Sequence, residues 1–170
     1  MLHIVYGGSA SGKSSYAESF AMSLQGEGRL LYIATMYPYK WNTTEIDPET
    51  MQRIERHRAM RADKGFDTVE CYRHVEHIVA KRQDVLLLEC MSNLLANEMY
   101  LEPDSNAGSD MAETMSPVSN KIVQALVNLS TRVQDVVIVT NDVFSDGGSL
   151  TYDESTRAVS YTHLRAHETL

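Results

Sequence analysis

Residues 2–16 read Leu2-His3-Ile4-Val5-Tyr6-Gly7-Gly8-Ser9-Ala10-Ser11-Gly12-Lys13-Ser14-Ser15-Tyr16: an apolar run, a glycine- and serine-rich loop, then the start of a helix-like pattern. Gly7 to Ser14 fits G-x4-G-K-[ST], the arrangement that cradles phosphates. Each residue type has a physical task there. Gly7 and Gly12 let the backbone turn tightly, so that the N–H groups of Gly8, Ser9, Ala10 and Ser11 can approach a phosphate at a helix N-terminus. Lys13 reaches the β and γ oxygens, and the Ser14 hydroxyl can ligate Mg²⁺. The strand-loop-helix context therefore predicts a nucleotide-handling α/β protein rather than a plain surface turn.

Further apolar runs follow at Leu30 to Ala34, Val85 to Leu88 and Val136 to Val139, dense in branched residues and nearly free of alternation. Such runs read as strands buried on both faces. Helical patterns lie between them at Ser14 to Leu24, Pro48 to Arg61 and Pro117 to Arg132. Strand and helix in alternation predict a mostly parallel sheet with helices on both sides. Asp67 to Tyr72 is expected to add a short strand, followed by a helix near His74 to Arg82. Glu102 to Ser116, rich in acids, Pro, Gly and Ser, reads as a mobile acidic loop.

A chain of 170 residues, 43% hydrophobic and 22% charged, suits one globular domain. Its net charge of −8 argues against a general nucleic-acid or membrane-surface binder, so an anionic ligand must be held by a local positive site. Cys71 and Cys90 form no C-x-x-C pair, and no apolar stretch has the length of a signal peptide or a membrane span. A reducing cytoplasm is the expected compartment.

Ligands of such sheets bind outside the carboxyl ends of the strands. Those ends carry Thr35, Glu89, and Thr140, Asn141 and Asp142. Glu89 is placed like the acid that holds Mg²⁺ or its water shell, with the capping of the next helix as the alternative, a role equally open to Asp142. A second positive site is expected on the helix opened by Asp47 and Pro48. From Glu49 to Lys64 five basic residues face three acidic ones, a local balance of +2 on an acidic protein. His57 lies in its middle, sharing one face with Ile54 and Arg61. A neutral imidazole there can attack phosphorus, although a basic helix is also commonly just a solvated face.

Several of these segments together resemble the bifunctional adenosylcobinamide kinase / adenosylcobinamide-phosphate guanylyltransferases of cobalamin assembly. The opening strand and loop, Leu31 to Thr35, and Leu86 to Leu94 with Glu89-Cys90 are similar to family strands, and Val137 to Val143 resembles a V-[ST]-N-E-V strand end with Asp142 in place of Glu. The more specific signals are Arg53 to Arg61, which resembles the family's R-I-x-x-H-x-x-x-R helix, and Phe66 to Glu70, which resembles W-x-T-x-E with Phe66 in place of Trp. The resemblance runs from residue 1 to about residue 157. It implies a P-loop, RecA-like fold whose C-terminal closing elements are missing, the domain being residues 1–157. Residues 158–170 read as a non-native tail that resembles a translated sequencing-adapter read-through; His163, His167 and Glu168 within it are not expected to hold a metal.

By the same resemblance His57 is the nucleophile that takes GMP from GTP, and Lys13 acts on the phosphates. Gly7, Gly8, Ser9, Ala10, Ser11, Gly12, Lys13 and Ser14 grip the triphosphate, with Thr35, Met36 and Tyr37 beside it. Arg58, Ala59, Met60, Arg61, Glu70 and Glu89 contact the guanine nucleotide, while Ser14 and Glu89 take Mg²⁺. ATP and GTP are the implied substrates, adenosylcobinamide and its phosphate the implied acceptors, and a homo-oligomer the implied assembly. A P-loop kinase without guanylyl transfer, or a nucleotide-binding module without chemistry, remain as competing readings.

Overall fold

The computed structural model describes residues 1–8, 10–40, 43–101 and 111–141. Five strands form one parallel sheet: β1 (Leu2–Gly7), β2 (Leu30–Ala34), β3 (Phe66–Glu70), β4 (Val85–Glu89) and β5 (Asp135–Asn141), in the order β1-β5-β4-β2-β3. The helices are α1 (Lys13–Leu24), α2 (Pro48–Arg61), α3 (Met91–Tyr100) and α4 (Met111–Arg132). This is a P-loop α/β fold, as the opening segment predicts.

The unbroken apolar runs have a simple cause: both faces of the central strands are covered. Leu31, Ile33, Leu86, Leu88, Val136 and Ile138 point to the side closed by α3 and α4, and pack with Leu94, Leu126 and Leu129. Leu30, Tyr32, Val85, Leu87, Val137 and Val139 point to the other side, against Ala17 and Ala21 of α1. Alanine at those two α1 positions, both 0% exposed, lets the helix lie close to the sheet. At the sheet edge, β1 leaves Leu2, Ile4 and Tyr6 exposed among the described residues.

Three expectations change. The stretch after β3 forms a single 3-10 turn, Val75–His77, instead of a helix to Arg82. Val75 and Ile78 there are anchored in the core, and Ile78 leaves the turn with extended backbone, so the chain is held by packing in a non-helical path. The Leu86 to Leu94 segment, which resembles a strand, is strand only as far as Glu89, and residues 91–100 form α3, whose Leu94, Leu95 and Met99 supply the core stripe. The expected acidic loop is shorter, because α4 begins at Met111 and carries Pro117 inside it. Residues 102–110 of that loop, Asp142 and the tail lie outside the described residues.

Candidate active site

The parallel register brings the functional strand ends abreast. Gly7 pairs with Asn141, and Ala34 pairs with both Glu89 and Glu70. A cavity of about 430 Å³ opens over these ends. From the sheet side it is lined by Ala10, Lys13, Ser14, Tyr32, Glu89 and Asn141, and from above by Arg53, Ile54, Arg56, His57, Arg58 and Arg61 of α2. The phosphate loop and the basic helix, some 40 residues apart in sequence, are thus two walls of one cavity.

The loop wall is set by local backbone demands. Gly12 precedes α1 with φ of +83°, a conformation that a side chain disfavours. Ala10 adopts φ of 54° without being glycine, the kind of backbone strain that concentrates at functional loops. Lys13 Nζ donates to the Gly8 carbonyl at 2.9 Å, folded back across its own loop. Ser14 Oγ donates to Glu89 Oε1 at 2.5 Å, whereas Glu89 Oε2 is buried without a hydrogen-bond partner. Burial pushes the Glu89 carboxyl above its ordinary range, with Ser14 and Lys13 pulling the other way. A hydroxyl beside a carboxylate with one oxygen unused is a hard-oxygen donor set of the type that Mg²⁺ takes.

The α2 wall presents Ile54, His57, Arg58 and Arg61 at helical spacing, so one face of the helix fills the cavity. Asp47 is the N-cap by position, and its carboxylate accepts from the Thr50 hydroxyl in the first turn of the helix. Lys64, just past α2, pairs with Glu18 of α1, and Arg58 pairs with Glu70 at the end of β3. These contacts tie a very polar helix to the sheet. His57 is half-buried, and its imidazole is held below the ordinary value by burial first and then by Arg61, Arg56 and Arg53, against a weaker opposing pull from Glu18. The ring is therefore neutral over more of the physiological range than a free histidine. Cys90 also lines the cavity, but burial pushes its thiol up, so it stays protonated and is a poor nucleophile.

Of the residues singled out in the sequence, Ala10, Lys13, Ser14, Met36, His57, Arg58, Arg61 and Glu89 line this cavity. Thr35 is instead sealed at 0% exposure. Its hydroxyl bonds to the Glu89 carbonyl at 2.8 Å and accepts from the Cys90 N–H at 2.8 Å, locking the ends of β2 and β4 together. Tyr37 and Glu70 line an adjoining hollow, where Tyr37 packs edge-on against Tyr72 and the Tyr72 hydroxyl donates to Glu70. Ala59 and Met60 lie exposed on the outer side of α2. Ser9 is outside the described residues. Sequence reading missed Tyr32 and Asn93; Tyr32 sits inside an apolar strand run, where no spacing rule separates a cavity wall from core.

Comparison with known proteins covers nearly all of this ground. The family described as cobinamide kinase / cobinamide phosphate guanyltransferase matches residues 3–160. The bifunctional adenosylcobalamin biosynthesis protein CobU of Escherichia coli (strain K12) is 31% identical over 151 residues, covering 84% of this chain and 76% of that protein. The protein of the same name from Salmonella typhimurium (strain LT2) is 30% identical over 149 residues, with the same shares covered.

Proposed function

Because the chain belongs to the cobinamide kinase / cobinamide phosphate guanyltransferase family, we propose that it carries out both reactions in the one cavity described above. In the first, the hydroxyl of adenosylcobinamide attacks the γ-phosphorus of ATP or GTP, the bridging P–O bond breaks, and the nucleoside diphosphate leaves. In the second, a ring nitrogen of His57 attacks the α-phosphorus of GTP and pyrophosphate leaves, giving a guanylyl-histidine. The phosphate of adenosylcobinamide phosphate then displaces His57, forming adenosylcobinamide-GDP and regenerating the imidazole. Two in-line displacements replace one between bulky anions, which is what a covalent intermediate contributes.

The observation that carries this reading is the position of His57: a depressed-pKa imidazole on the wall facing Lys13 and Ser14. The loop N–H groups and Lys13 bind and orient the triphosphate, and the arginines of α2 offset the charge that gathers on the attacked phosphoryl oxygens. Lys13 must leave the Gly8 carbonyl to do so. Ser14 and Glu89 would hold Mg²⁺, which supplies further charge neutralisation when bound. Glu70 and Tyr72 in the adjoining hollow offer an acceptor pair suited to the N–H edge of guanine.

The test is incubation with GTP labelled at the α-phosphorus. The proposal expects an acid-labile, base-stable label on the intact protein, absent in His57→Ala and chased off by adenosylcobinamide phosphate. An unlabelled intact protein that nevertheless consumes ATP with adenosylcobinamide would identify a kinase alone and refute the guanylyl step.

A further inference from the structure

Arg61 is the one residue of α2 that is buried, at 5% exposure. Its guanidinium carbon lies 3.4 Å from the centroid of the Tyr32 ring. Its Nε and Nη1 are buried without a hydrogen-bond partner, and no carboxylate pairs with it among the described residues. Glu18 pairs with Lys64, and Glu89, which feels the Arg61 charge through space, accepts from the Ser14 hydroxyl through one oxygen without forming an ion pair with Arg61. A buried cation without a directly paired carboxylate is costly unless something replaces its hydration. The face of Tyr32 does so in part, and Arg61 lines the cavity, where a bound anion would supply the missing partner.

Resting on the proposed chemistry of His57, we propose that Tyr32 is a positioning residue that holds the Arg61 guanidinium at the cavity floor without tying it up in an ion pair, ready for the α-phosphate that His57 attacks. Arg61 follows His57 by four residues, one helical turn, so both reach the same phosphoryl group. A carboxylate in place of Tyr32 would orient Arg61 equally well but cancel its charge. An aromatic face orients and leaves the charge free. The Tyr32 ring is itself fixed, with Phe66 of β3 edge-on to it at 6.0 Å and 83°.

The experiment is single-turnover labelling from α-labelled GTP, with melting temperature measured on each variant. Tyr32→Phe keeps the face of the ring and is expected to label within about twofold of the wild-type rate. Tyr32→Met keeps apolar volume but loses the face; its rate at saturating GTP is expected to fall roughly 2- to 30-fold, the range of a cation–π contact, with the half-saturating GTP concentration changed less. Tyr32→Met combined with Arg61→Met should be no slower than Arg61→Met alone, because both act through one group. Wild-type labelling in a folded Tyr32→Met variant overturns the proposal, and so does multiplication of the two losses in the double variant. A wild-type chain that takes no label refutes the guanylyl reading instead. In that case calorimetric GTP affinity of the same variants decides, and equal affinity for wild type and Tyr32→Met sinks the role of Tyr32.

Discussion

Thr35→Val tests whether the residue after β2 holds the site together or touches nucleotide. The substitution keeps the branched shape and removes only the hydroxyl. Thr35 Oγ1 bonds to the carbonyls of Glu89 at 2.8 Å and Cys90 at 3.1 Å, and accepts from the Cys90 N–H at 2.8 Å. The Glu89 carbonyl retains a bond from the Thr35 N–H at 3.3 Å and the Cys90 carbonyl one from the Leu94 N–H at 3.2 Å, so the net orphan is the buried Cys90 N–H. One buried unsatisfied donor costs about 1–3 kcal/mol. For a domain of this size that corresponds to a fall in melting temperature of about 2–12 °C. Calorimetry on Thr35→Val and on Thr35→Ser, which restores the hydroxyl, supplies the assay, with the half-saturating GTP concentration for labelling read in parallel. The expected pattern is a lowered melting temperature in Val, recovery in Ser, and a loss of labelling no larger than the loss of folded protein. An unchanged melting temperature with a raised GTP requirement would refute the structural role and give Thr35 a direct nucleotide contact.

Two further outcomes follow from the same geometry. His57 has a depressed pKa when folded, so the unfolded chain takes up the proton first; this group's contribution to stability falls as pH drops below the ordinary imidazole range, and the labelling rate should level off at a lower pH than a free histidine would give. Arg56→Gln should shift that labelling profile to higher pH, and an unchanged profile would mean that the arginines do not act on the ring. At Gly28, an added Cβ would lie 1.9 Å from the Gln83 carbonyl oxygen, so Gly28→Ala must push apart the entries to β2 and β4. A destabilisation of about 1–3 kcal/mol or more in urea unfolding is expected, and a variant as stable as wild type would show that the turn has room to move.

What the sequence determined by itself was local. The phosphate loop is contiguous, its glycines answer backbone demands within a few residues, and buried parallel strands announce themselves as unbroken apolar runs, so β1, β2, β4, β5 and the limits of α2 were legible. The α3 helix was less so, because its core stripe of Leu94, Leu95 and Met99 follows directly on the apolar β4 and blurs its period. The 3-10 turn at Val75 was hidden because long-range packing, not local propensity, holds it out of a helix. Tertiary structure alone decided the site's composition. Strand order sets Glu89 within reach of Ser14, 75 positions away, and only the packing of α2 over the sheet makes Tyr32 a platform for Arg61 and turns Thr35 inward. A side chain's role depends on what it faces, and that is fixed by contacts between segments that the chain order does not bring together.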